Sequence, residues 1–271
     1  MPTRPFRAAE TTGRSSAQKD YSTDSPIPIK LCLMAQRSLM SIRSKLSSST
    51  ILMALSMTVG TLAALVLQIP VQAQTTFSDV QPGDWAAGFI QALADRGVIR
   101  GFSDGSFRPN DPVTRAQFAV MVDQAFDRPA VRSAIRFKDV PSRYWASSAI
   151  QAAYTEDFLS GYPGSVFNPA QAMPRAQVLV ALASGLQLEP QGTNASVIGG
   201  FRDYESIPFY AQDGVSAAVF RKIAVNYPNI DFLNPNRAST RAEVAASIYQ
   251  ALVASGKAPK IASPYIVFGD P

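Results

Sequence analysis

The sequence predicts a mainly α-helical protein built from three tandem helix–loop–helix units. Two observations carry that expectation: one segment is written three times, and helix signals recur inside each copy. Arg115-Ala116-Gln117, Arg175-Ala176-Gln177 and Arg241-Ala242-Glu243 mark the copies, each preceded six residues back by Pro109, Pro169 or Pro235. Upstream stand Trp85-Ala86, Trp145-Ala146 and Tyr210-Ala211. Further upstream stand Phe77-x-Asp79, Phe137-x-Asp139 and Phe201-x-Asp203. The first two copies lie 60 residues apart and the last two 64 to 66. A fixed period is the mark of repeat architecture. A lone unit of this length buries too little surface to be firmly stable, so three units are expected to share one core.

In the first copy, a short extended segment leads to Asp84, an N-cap candidate for a helix with Ile90, Leu93 and Ala94 on one face. Gly97 is placed to end that helix. Val98-Ile99 follows, then GFSDGSFRPND (101–111), dense in turn formers. Thr114 and Gln117 form a capping box for a second helix with the apolar stripe Phe118, Val122, Ala125 and Phe126. The second copy repeats the plan with Ile150, Ala153, Phe158-Leu159 and GYPGSVFNP (161–169). Its second helix opens with Pro174 in the first turn, where the hydroxyl cap is lost. In the third copy Asn226 stands where the glycine loop begins, and one extra residue precedes Pro235. Asn226 is expected to take a left-handed turn in place of glycine. Thr240 and Glu243 restore the capping box. Phe77, Phe107, Phe137, Phe167, Phe201 and Phe232 read as packing residues, and Asp79, Asp139 and Asp203 as turn caps. Trp85, Trp145 and Tyr210, beside turns at helix starts, read as partly exposed. The stretch 192–200, which holds the sequon Asn194-Ala195-Ser196, reads as a loop.

The whole chain carries 25 Lys/Arg and 20 Asp/Glu, a net charge of +5. Residues 1–73 hold eight of those bases and three of the acids, leaving 17 of each in residues 74–271. The neutral remainder argues against a nucleic-acid partner. Behind Arg43 and Lys45, Ile51 to Ile69 is apolar and uncharged. Pro70 breaks that run, and Val71-Gln72-Ala73 offers small residues for cleavage before Gln74. Residues 40–73 are therefore read as a signal peptide, in preference to a membrane-spanning helix. Residues 1–39, rich in Ser, Thr, Pro and Arg, read as a disordered or mis-annotated extension ahead of a translation start at Met40 or Met34.

The one cysteine, Cys32, falls in that extension, and the chain has no histidine. The exported part thus has no disulfide framework, no Ser-His-Asp or Cys-His arrangement and no His-based zinc site. No catalytic residue, metal ligand or cofactor is assigned.

The motifs FSDV, GFSDGSFRP and TRAQFA of copy one, FKDV, YWA, FLSGYPG, FNP and PRAQ of copy two, and FRDY, FYA, NYP, NP and TRAEVA of copy three resemble, in order and spacing, the S-layer homology (SLH) family. The resemblance covers roughly residues 75–255. It sets repeat 1 at 75–136, repeat 2 at 137–199, a degenerate repeat 3 at 200–262 and a tail at 263–271. It implies a pseudo-threefold arrangement around a central helical bundle, with grooves between neighbouring copies that bind cell-wall polysaccharide, often acidic and pyruvylated. Carried over, the ligand-binding residues are Trp85, Trp145 and Tyr210, Arg115, Arg175 and Arg241, and Gly101 and Gly161. A guanidinium beside free helix-start N–H groups suits a carboxylate. An aromatic face suits a sugar ring, and several like grooves on one polymer give avidity.

Gln117 and Gln177 stand where the family usually has an acid, which removes ion pairing there. The degenerate third copy makes the first two expected to dominate binding, with Arg241 mattering less than Arg115 or Arg175. The function this implies is a non-catalytic module of the cell envelope, exported and of cyanobacterial flavour. No cargo domain is evident after Ala254, so the chain is expected to be free-standing or to anchor another envelope protein. The competing readings are a protein-binding envelope scaffold and a wall-glycan hydrolase, which would need two carboxylates.

Overall fold

A computed structural model describes residues 77–268. The expected extension 1–39, the expected signal peptide 40–73, Cys32 and the last three residues of the tail lie outside them. Among the described residues the protein is helical, with α1 (Ala87–Asp95), α2 (Arg115–Ala125), α3 (Ser147–Thr155), α4 (Arg175–Gly185), α5 (Asn194–Ile198), α6 (Gln212–Phe220) and α7 (Arg241–Ala254). Among the described residues, extended pairing is limited to isolated bridges, and no helix is long and apolar enough to cross a membrane.

Helix ends follow local chemistry, with some departures from expectation. Thr114 and Thr240 make reciprocal capping boxes with Gln117 and Glu243. Pro174 sits one residue earlier than expected, at the N-cap itself, with φ −63° and ψ 150°. Asp84 is not the cap of α1. That position is Ala86, and the Asp84 carboxylate closes the preceding turn by accepting from the Gln81 amide at 2.8 Å. Gly97, at φ 71°, ends α1 with paired bonds from its own N–H to Ala94 and from Val98 N–H to Leu93. Asp157 (φ 67°) and Lys222 (φ 61°) take the same left-handed position in the other copies. Residues 194–198, expected to be loop, form α5. Thr193 and Ser196 cap it reciprocally, and Val197 and Ile198 bury its apolar face.

The first helix of each copy packs on the second helix of another. α3 lies on α2, α6 lies on α4, and α1 lies on α7, which also touches α2 and α4. Backbone bonds follow the same cycle. Arg115 and Ala116 N–H donate to Gln171 and Pro169, Arg175 and Ala176 to Arg237 and Pro235, and Arg241 and Ala242 to Asp111 and Pro109. One apolar cluster runs through all three copies and includes Leu93, Phe107, Phe118, Phe167, Leu182, Leu233 and Ile248. Phe232 is a correction. The extra residue of copy three moves it out to a half-buried place, and Leu233 takes the buried position of Phe107 and Phe167.

Candidate functional site

Each copy is tied by its aspartate to a turn 28 to 31 residues away. Asp79 accepts from the Phe107 and Arg108 amides, both at 2.7 Å. Asp139 accepts from Phe167 and Asn168 at 2.8 and 2.6 Å, and Asp203 from Leu233 and Asn234 at 2.9 and 2.7 Å. Arg108, Asn168 and Asn234 are all left-handed, at φ 61°, 57° and 53°. Two successive N–H groups around such a residue converge on one anion. These aspartates are internal clamps.

The three arginines are buried, and each reaches into another copy. Arg115 Nε and Nη2 donate to the Phe167 and Ser160 carbonyls at 2.8 and 2.6 Å. Arg175 donates to Leu233 and Val225 at 2.8 and 3.0 Å, and Arg241 to Phe107 and Arg100 at 2.7 and 3.2 Å. Arg115 and Arg241 also lie over the Phe167 and Phe107 rings, each at 4.5 Å. Burial is the largest influence on all three guanidinium groups and lowers each pKa. The expectation of free N–H groups beside them does not hold. The first two amides of α2, α4 and α7 are already bonded to carbonyls of another copy.

Gly101 and Gly161 have a packing reason. A Cβ at Gly101 would lie 2.6 Å from both Phe77 Cε1 and the Ser106 carbonyl, and one at Gly161 2.5 Å from Phe137 Cε1. Neither glycine is left-handed, and neither is Asn226. The left-handed glycines of these loops are Gly105 and Gly164.

Two equivalent grooves result. In the first, of about 310 Å³, α2 presents Gln117, Val120, Met121 and Gln124 beside residues 97–100, with Trp145 of copy two at the mouth and Arg241 of copy three behind. In the second, of about 200 Å³, α4 presents Gln177, Val180, Ala181 and Ser184 beside residues 157–162, with Tyr210 and Arg115 in the matching places. Trp145 is 63% exposed and Tyr210 65%, although Arg115 and Arg241 are only 4% and 7% exposed. Nη1 of Arg115 and of Arg241 has no protein partner among the described residues. Every groove therefore draws on all three copies. Arg241 serves the groove of Trp145, contrary to the expectation that it belongs to a weakened third groove.

The third set differs at each point. Arg175 Nη1 pairs with Glu243 Oε1 at 3.1 Å, and its Nη2 also donates to Asn226 Oδ1 at 2.6 Å. Arg237 donates to the same Glu243 carboxylate at 2.5 Å. Burial raises the Glu243 pKa, but the Arg175 charge, the Arg237 and Thr240 bonds and the Arg237 charge outweigh it, and the net direction is down. Trp85 is half-buried and stacked on Tyr227, with centroids 4.9 Å apart and planes 8° apart.

Residues 76–119 and 136–179 each match the family model described as "S-layer homology domain". These two segments are S-layer homology domains. Together they contain Trp85, Trp145, Arg115, Arg175, Gly101 and Gly161. The segment is shared with larger proteins. It is 31% identical over 182 residues to an amylopullulanase of Thermoanaerobacterium thermosulfurigenes, covering 67% of this chain and 10% of the relative. It is 33% identical over 174 residues to an endoglucanase of Bacillus sp. (strain KSM-635), covering 64% and 18%. To a surface-layer 125 kDa protein of Lysinibacillus sphaericus it is 27% identical over 207 residues, covering 73% and 17%. The chain thus spans less than a fifth of the length of each of these relatives. Among the described residues, no group of three or more Cys, His, Asp or Glu is placed to hold a metal ion.

Proposed function

We propose that the chain is a non-catalytic, exported module of the cell envelope that binds cell-wall polysaccharide non-covalently through the grooves between its SLH repeats, with residues 200–262 acting as the third repeat. The observation that carries this reading is the pair of matching grooves, each with an exposed aromatic ring at the mouth, glutamine on the floor (Gln117 and Gln124 in the first, Gln177 in the second) and a buried arginine behind. The ring offers an apolar face for a sugar, and the amides offer donors and acceptors for hydroxyls. The unpartnered Nη1 suits an acidic substituent, of which a pyruvyl ketal is one. Two shallow sites on one polymer add by effective concentration.

The first groove holds no carboxylate and the second only Asp157. Glycoside hydrolysis by the usual route needs two. A shared segment that is a small part of two carbohydrate-active enzymes and a surface-layer protein fits a common attachment role better than a shared reaction.

Co-sedimentation with wall preparations, before and after removal of acidic glycan, tests the proposal. Binding that disappears with the glycan is the expected outcome. Binding that persists on stripped sacculi would favour a protein partner, for which the neighbouring Phe209, 89% exposed, is the observation in hand.

A further inference from the structure

The third inter-repeat position differs from the other two in what lies against its aromatic ring. By position, Lys222 to Asn226 correspond to Gly97 to Gly101 and to Asp157 to Gly161, so Tyr227 corresponds to Phe102 and Tyr162. Those two rings lie beside their arginines, with the Arg241 and Arg115 guanidinium groups 5.0 and 4.9 Å from the centroids. Tyr227 is instead turned flat onto Trp85. Tyr265, from the segment after α7, meets both rings edge-on, with centroids 6.1 Å from Trp85 and 4.9 Å from Tyr227.

That segment is pinned along its length. Tyr249 Oη donates to the Pro259 carbonyl at 2.9 Å, Asn226 N–H to Tyr265, and Val267 N–H to Ala224, each also at 2.9 Å. Val225 and Ile266 form an antiparallel bridge. The α7 face that matches the open floors of α2 and α4 carries Glu243, Ala246, Ser247 and Gln250, and all four are buried. The guanidinium behind it, Arg175, is fully engaged by Glu243 and Asn226.

We propose that Tyr227 and the segment 257–268 close the third groove as an intramolecular occupant, so that the protein presents two open grooves and a third that opens only when Tyr265 is displaced. The stacked tyrosine lies on Trp85 where, in the open grooves, the aromatic face is left to solvent. The count of two open sites rests on the wall-glycan reading. The closure does not.

Trp85 and Trp145 are the two tryptophans of the chain, so each can be made the sole emitter. Acrylamide quenching of Trp85 in W145F should be severalfold weaker than that of Trp145 in W85F. Adding Tyr265→Ala to W145F should raise it severalfold, while far-UV circular dichroism stays unchanged. Val267→Pro, which deletes the N–H donated to Ala224, should act in the same direction. Trp85 as open as Trp145 in the undisturbed segment, or unmoved by both substitutions, overturns the closure. Short wall-polysaccharide fragments should then saturate two sites per chain, and a third with Tyr265→Ala. Three sites in the parent chain also overturn the proposal. No glycan binding with Trp85 still shielded would sink the wall-glycan reading and leave the closure standing.

Discussion

Arg115, Arg175 and Arg241 show how one residue type at one repeated position can carry two roles. Nε and Nη2 of each hold carbonyls of another copy; Nη1 has no protein partner among the described residues in Arg115 and Arg241, and in Arg175 it pairs with Glu243. Removing Arg115 strands the buried Phe167 carbonyl, at about 1–3 kcal/mol, and a part-buried one at Ser160. Arg115→Ala should therefore lower unfolding stability by about 2–5 kcal/mol in urea titration, before any effect on binding is read. Arg115→Lys should not restore it, because an ammonium cannot reproduce the planar fork. Trp145 and Tyr210 are the opposite case. Both are mostly exposed, so Trp145→Ala and Tyr210→Ala should leave thermal unfolding nearly unchanged. Each should weaken co-sedimentation with walls about tenfold or more if the ring is a binding anchor. Equal wall binding by both variants would count against the grooves.

At the scale of elements, the second helices differ in how they start. Thr114 caps α2 by accepting from Gln117 N–H, and Thr240 does the same for α7, whereas Pro174 supplies no side-chain cap to α4. Thr114→Ala should cost about 1 kcal/mol by thermal or chemical denaturation. α7 carries a further dependence on pH through Glu243. Its folded-state pKa is lowered, so the stability it contributes is present above the unfolded value of about 4.3 and is lost as pH falls through the folded value. Glu243→Gln leaves Arg175 buried without a counter-charge and should cost about 3–5 kcal/mol at neutral pH. It should also flatten the loss of stability below about pH 4.3, measured by denaturation at a series of pH values.

On the scale of the whole molecule, no copy completes its own surroundings. α1 finds its partner in α7, and the loop holding Arg100 and Phe107 is bonded by Arg241. A fragment confined to residues 75–136 should therefore be unfolded by circular dichroism, whereas residues 74–271 should unfold in one cooperative step. A folded, cooperative single repeat would contradict this reading of the cycle.

The helices, the two capping boxes, the glycine end of α1 and the aspartate turn caps were legible in the sequence, because each depends on contacts within a few residues or on a repeated spacing. α5 was missed because its cap pairs Thr193 with Ser196, not with Glu or Gln, and because 192–200 is rich in turn formers. Phe232 was misplaced because one inserted residue shifts the register, and only packing shows which neighbour enters the core. The triple Arg-Ala motif and the aromatic at each helix start already pointed to a repetitive helical protein without help from coordinates.

Tertiary structure alone decided which arginine serves which groove, because the contacts cross between copies 45 to 141 residues apart. It also decided that the helix-start amides are taken, that Gly101 and Gly161 are needed for close approach, and that Trp85 is covered. Sequence spacing records what a residue's neighbours along the chain allow. Burial and bonding across the repeats depend on which distant segments are brought against it.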